Sequence, residues 1–275
     1  MPNLQETSPI KSAISSVWQA EIQEEYMKRS ILEAITFPIS MDASGKYIIN
    51  KIVADTDCIV DYEGNDLEFK KGATTPIELI PDQHKAFAME FPTIDYAMTH
   101  TNVREALIRQ RTNELQLSTC NHVLGLIRAS KEIQKLEVTL SKTNIYDSIN
   151  TAVRKLDSKE VPSDSRVILM NWATLTMLEQ SSQFANNFHV ATELNGLSNV
   201  TVSGVQVLLT NLIQDGEIIV LHKDAIAQVQ YLDQVKFGEM EKRFSEYVKV
   251  LSVHGALIAR PESIVRIAPS MAKAK

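Results

Sequence analysis

One stretch limits the fold more than any other. From about Thr93 to Lys135, apolar residues recur at helical spacing: Ile94, Ala97, Val103, Leu107, Leu117, Val123, Leu124 and Ile127. Thr93 is a favourable cap, and Asp95 sits in the first turn, where a negative charge suits the helix dipole. At 1.5 Å of rise per residue, about 35 residues reach roughly 50 Å. Helices that long are uncommon in compact domains, which leaves room for a break near Ser118–Thr119.

The segments before this helix differ from those after it. Residues 1–12 are polar with two prolines and read as an arm. Ser12 to Ile35 is an amphipathic helix pattern, with Glu21, Glu24, Glu25, Lys28 and Arg29 on its wet side and Pro38 ending it. Between 41 and 80, Gly45, Gly64 and Gly72 punctuate short strand-like runs, Lys46–Ala54 and Asp57–Tyr62, and Tyr62–Asp66 reads as a turn. This excursion is too polar to build a core alone. Ile77–Ile80 and Lys85–Phe91 follow as a second pair of strand candidates, separated by Pro81-Asp82-Gln83.

After Thr143 helix and strand patterns alternate. Asn144–Leu156 and Ala173–Ser181 read as helices, with the strand Arg166–Met170 between them. Val200–Leu209 is a strand pattern interrupted at Gly204, and Ile218–Leu221 is a short strand. Phe244–Val253 and Ala256–Arg260 read as a hairpin turning at His254-Gly255, and Ile264–Ile267 closes the chain. The fold class is α+β.

Composition narrows the function. The chain has 275 residues, 44% hydrophobic and 23% charged, enough for a sizeable core. A net charge of −6 argues against a dedicated nucleic-acid binder, though not against a container of nucleic acid. Cys58 and Cys120 form no CxxC, so two free thiols in a reducing compartment are expected. The N-terminus lacks the apolar core of a secretory signal, and no apolar run approaches the roughly 18 to 20 residues that span a bilayer. No membrane partner is expected.

Catalytic signatures are missing: there is no GxSxG, GxxxxGK[ST], HExxH or GxGxxG. None of the six histidines lies within four residues of another, so no helix face carries a histidine ligand pair. His222-Lys223-Asp224 is the most enzyme-like triplet, but with no nucleophile motif it reads as a polar loop. Cys120 and His122, two apart on a helix, face different directions. Arg128, Lys131 and Lys135 would form one basic helical face, read as a solvated helix end in preference to a nucleic-acid contact. Trp18 fits either an intersubunit anchor or burial within its own fold.

The order of elements, with two stretches of sequence, resembles the major capsid proteins of tailed bacteriophages, which have the Hong Kong 97 fold. The first stretch, IELIPDQHKAFAMEF (77–91), looks like the strand that returns from the family's extended loop and feeds its spine helix. The second runs from His222 to Ile267. There KDAIA (223–227) precedes a β-rich stretch, and HGALIARPESIV (254–265) is similar to a frequent yG-x-x-v-x-rP-e-x-v-v pattern. His254 stands where an aromatic residue is common.

The resemblance implies an N-terminal arm and helix at 1–40 and an extension loop at 41–76. It implies a peripheral domain with the spine helix at 77–142 and 224–264, and an axial domain at 143–223 and 265–275. It implies a subunit that assembles with itself into hexamers and pentamers and encloses double-stranded DNA without reading its sequence. Portal and scaffolding proteins would be partners by analogy. The place would be the virion capsid, assembled in the host cytoplasm, and no enzymatic activity, metal or cofactor is expected. Trp18, Glu63, Asp66, Glu68, Lys70 and Lys71 are the candidate contacts between subunits. Two rivals stand beside this reading: an encapsulin-like nanocompartment shell, and a histidine- or metal-dependent hydrolase whose histidines would converge in a pocket.

Overall fold

The structure, a computed structural model, describes residues 31–41, 47–53, 73–92, 102–182, 201–240 and 245–269. The described chain begins in a single helical turn, α1 (Leu32–Ile35), followed by the short strand β1 (Phe37–Pro38). β2 (Tyr47–Val53) and β3 (Ala73–Leu79) pair as an antiparallel ribbon. β4 (Gln83–Pro92) precedes the long helix α2 (Asn102–Ala129), and β5 (Gln134–Glu137) follows it. Then come α3 (Ile145–Asp157), β6 (Arg166–Met170) and α4 (Trp172–Glu179). β7 (Thr201–Val202), β8 (Val205–Leu209) and β9 (Ile218–His222) continue the chain. A 3-10 turn, Lys223–Ala225, opens into β10 (Ile226–Glu239) and β11 (Ser245–Ile258). A second 3-10 turn, Pro261–Ser263, leads to β12 (Ile264–Ala268).

Two sheets carry the core. The six-stranded sheet has the order β5-β12-β9-β6-β8-β7 and mixes parallel and antiparallel pairs. β6 and β9 are buried at every residue, as continuous apolar runs covered on both faces must be. One face, with Ile168, Met170, Val207, Val220 and Val265, packs against α3 and α4. The other, with Val167, Leu169, Ile219, Leu221 and Ile264, packs against Val123, Leu124 and Ile127 at the end of α2. The β7–β8 turn has φ of 52° at Ser203 and 78° at Gly204. Those are the two positive values a tight two-residue hairpin requires, so the interruption read at Gly204 is a turn.

The four-stranded sheet has the order β1-β10-β11-β4. β10 and β11 form a long hairpin, from Ile226↔Ile258 to Glu239↔Glu246, with one irregularity between Leu232 and Gln234. The expected hairpin at His254-Gly255 is therefore wrong, because β11 runs straight through it. Gly255 is there for another reason. A Cβ at this position would lie 2.7 Å from the Cα of Pro81 and 3.1 Å from the Ile80 oxygen, so the link between β3 and β4 crosses directly over it. The strand candidates flanking that link do not pair with each other: β3 pairs with β2, and β4 with β11.

α2 is unbroken through Ser118–Thr119. The hydroxyls of Thr112 and Thr119 donate back to the carbonyls of Ile108 (2.9 Å) and Leu115 (3.2 Å), so these buried polar groups are satisfied within the helix. Its 28 described residues extend about 42 Å. The helix ends at Ala129, so the expected basic helical face does not exist. Arg128 lies in the last turn, Lys131 in a bend and Lys135 in β5. Thr93 to Thr101 lie outside the described residues.

Leu32 and Ile35 of α1 are buried in the chain's own core beside Val123 and Ile127. One helical turn has no stability alone. Two buried aliphatic side chains contribute about 3–6 kcal/mol together, as an upper estimate. The Thr36 hydroxyl then shares its one proton between the Leu32 carbonyl (2.6 Å) and Gln228 Oε1 (2.8 Å), tying the turn to β10.

Candidate assembly site

Trp18, Glu63, Asp66, Glu68, Lys70 and Lys71 all lie outside the described residues. What the structure describes is the root of residues 54–72, the β2–β3 ribbon. Its Tyr47, Ile49 and Leu79 pack with Ala227, Val229 and Ala259 of the main fold. Successive strand residues point to opposite sides. His254 meets α2, so Gly255 faces the other way, toward Ile80–Pro81. The ribbon is thus rooted on the sheet face opposite α2. Ile80, 71% exposed, stands at that root.

A buried ion cluster joins α2 to the six-stranded sheet. The Glu217 carboxylate is fully buried and accepts from Arg128 Nη2 (2.8 Å) and Arg266 Nε (2.7 Å). Arg128 also donates to the Leu212 carbonyl (3.0 Å). Burial alone would raise the pKa of Glu217, but the hydrogen bonds and charges of Arg128 and Arg266 hold it below the usual value. On the other side of this loop Asn171 caps α4, accepting from Thr174 N (2.8 Å) and donating to Asp215. The Gly216 N–H donates to Thr174 Oγ1 (3.2 Å). Residues 212–217 are therefore fixed from both sides, and α2 is tied to the six-stranded sheet through charge as well as packing. Sequence reading missed this cluster because its three members are far apart in the chain.

The enzyme-like groups resolve into structural ones. His222 is buried, and its Nδ1 accepts from the Asp224 backbone N–H (3.1 Å), which caps the 3-10 turn. The Asp224 carboxylate plays no part in that bond. Cys120 is a buried free thiol whose pKa burial pushes up to about 11, the opposite of an activated nucleophile. His122 and His254 do meet, with ring centroids 5.6 Å apart and edge to face, a contact the sequence did not reveal. His254 is 1% exposed, so no substrate reaches it. Among the described residues no group of three or more His, Cys, Asp or Glu side chains is placed to hold a metal ion. Among them, too, no helix is long and apolar enough to cross a membrane.

No family model and no curated protein matches the sequence. Solved structures do match. A chain of Mycobacterium phage Che8 is 20% identical, with a TM-score of 0.60 over 81% of this chain and 84% of that one. The capsid of the cyanophage P-SCSP1u superposes with a TM-score of 0.69 at 14% identity, covering 88% of each chain. The SrpI encapsulin of Synechococcus elongatus reaches 0.54 at 13% identity, covering 97% of this chain and 89% of that one. Such identities carry the fold and not the occupation of the fold. From α1 to β12 the chain has the shell-subunit fold of these phage capsid and encapsulin chains, the Hong Kong 97 architecture its element order resembled.

Proposed function

We propose that this chain is the major capsid protein of a tailed bacteriophage, assembling with itself into hexamers and pentamers that form an icosahedral shell around double-stranded DNA. One observation carries the reading: the correspondence with the P-SCSP1u capsid runs through 88% of both chains, so no large part is left over for another task. Closed shells require repeated, symmetric contacts from one subunit type. The β2–β3 ribbon supports this, since it is a two-stranded element separate from both core sheets and packed on the sheet face opposite α2, a place suited to contact with a neighbouring copy. Glu63, Asp66, Glu68, Lys70 and Lys71 supply complementary charges for such contacts, and Trp18 supplies an apolar anchor. The net charge of −6 suits a container whose DNA must slide during filling and release. In this reading portal and scaffolding proteins take part in assembly in the host cytoplasm, and the subunit itself performs no catalysis.

The encapsulin likeness supports a second reading, a protein-filled nanocompartment, at the lower TM-score of 0.54. Negative-stain microscopy of the purified chain tests both. Closed shells, hexamers or pentamers are expected, and a monomer under all assembly conditions would overturn either shell reading. Nuclease-protected DNA in particles from the native source selects the phage capsid, and a single enzyme cargo selects the nanocompartment.

A further inference from the structure

The packing of α2 on β11 is not uniform. Toward the start of the described helix, Ile108 and Leu115 pack with Val248 and Val250. Toward its end, Cys120, Val123, Leu124 and Ile127 belong to a second apolar block that takes in Ala256 and Ile258. Between these blocks both elements turn polar at the same level. The helix carries the buried Gln116 and Thr119, and β11 carries the buried Ser252 and His254. His254 is 1% exposed, and neither of its ring nitrogens has a hydrogen-bond partner among the described residues. Buried imidazoles are ordinarily hydrogen-bonded, so an unpartnered one between packed elements is a weak point.

We propose that His254, with His122 beside it, is a proton-sensitive joint between α2 and β11: charging the His254 ring loosens the middle of the helix from the sheet while the apolar blocks on either side hold. The surroundings oppose a charge at this ring. Burial is the largest effect, followed by the rings and charges of His122 on α2, Lys85 and His84 on β4; Asp82, in the β3–β4 link, is the one group favouring it. Directly across the strands sit Gln230 and Gln83, which carry no charge. Together these hold the His254 pKa down to about 4, against 6.5 for a free histidine. The sign follows. Above pH 6.5 the ring is neutral whether the joint is closed or open. As pH falls from 6.5 toward 4, only the open form takes up a proton, so acid favours opening; below about 4 the effect saturates. Between pH 7 and pH 5 the opening equilibrium rises about twentyfold. The joint belongs to the single chain and stands whether or not the chain builds a shell.

Hydrogen exchange of the full chain, read on peptides and corrected for intrinsic amide chemistry, tests this. Between pH 7 and pH 5, peptides from the middle of α2 should gain exchange about twentyfold, and those from the flanking blocks should not. His254→Phe should remove that increment, and His122→Phe should reduce it by removing a neighbour that opposes the charge. An equal acid response along the whole helix, or a His254→Phe protein that keeps the increment, overturns the proposal. Should His254→Phe fail to fold, the wild-type imidazole titration decides: a His254 ring titrating near 6.5 overturns the proposal, and one held near 4 supports it.

Discussion

Glu217 is a fully buried carboxylate serving two arginines, and its removal tests whether the link between α2 and the six-stranded sheet is structural. Deleting one member of a buried ion cluster leaves the others desolvated and unpaired, at a cost of about 3–5 kcal/mol. Glu217→Ala is expected to lose that much in a denaturant titration. A loss below about 1 kcal/mol would mean the arginines find water instead. The pH dependence has a definite sign. Its pKa is lower in the folded chain than the ordinary 4.5, so this stabilisation is complete above 4.5 and is lost as pH falls through the folded value. Glu217→Gln should flatten that acid limb. Gly255 is the other residue with a sharp test. Gly255→Ala puts a Cβ 2.7 Å from the Pro81 backbone, which cannot swing aside as a side chain can. A loss of about 1–3 kcal/mol is expected in thermal unfolding, and an unchanged midpoint would show that the crossing link yields freely.

At the scale of elements the long helix decides most. Because α2 is continuous at Ser118, Ser118→Pro should cost about 3 kcal/mol or more by removing a helical hydrogen bond and clashing with the preceding turn. If a natural break lay there, the substitution would be nearly neutral by circular dichroism and urea unfolding. The same region shows what a sequence conveys and what it hides. The apolar spacing through Val123, Leu124 and Ile127 placed the helix. Its length alone invited a break near Ser118–Thr119, whereas the helix runs on with Thr112, Gln116 and Thr119 buried and bonded. The strand β11 was misread for a related reason. His254-Gly255 is ordinary turn chemistry, and only the crossing of Ile80–Pro81, distant in sequence, makes glycine necessary within a strand. β6 and β9 were legible because continuous apolar runs bounded by polar residues have few other uses. The Glu217 cluster and the His122–His254 contact were illegible because they exist only once β9, β11 and β12 have been brought to α2.

At the scale of the whole molecule, the proposed function rests on contacts that a single chain cannot make with itself. Exposed ion pairs are weak, near 0–1 kcal/mol each. A shell repeats each pair many times, and closure makes later contacts effectively intramolecular, so modest pairs act together. Reversing Lys70 and Lys71 to glutamate should therefore leave the subunit's own unfolding midpoint within about 0.5 kcal/mol, as surface changes usually do. It should nonetheless suppress shell formation in light scattering, most strongly at low salt, where exposed charges are least screened. Reversing Glu63, Asp66 and Glu68 to lysine in the same chain restores complementarity, because each copy carries both halves of the contact. Recovery of shells in the combined variant is the expected result. Failure to recover, with the fold intact, would place the charges of residues 63–71 away from the contact between copies and leave Trp18 as the remaining candidate.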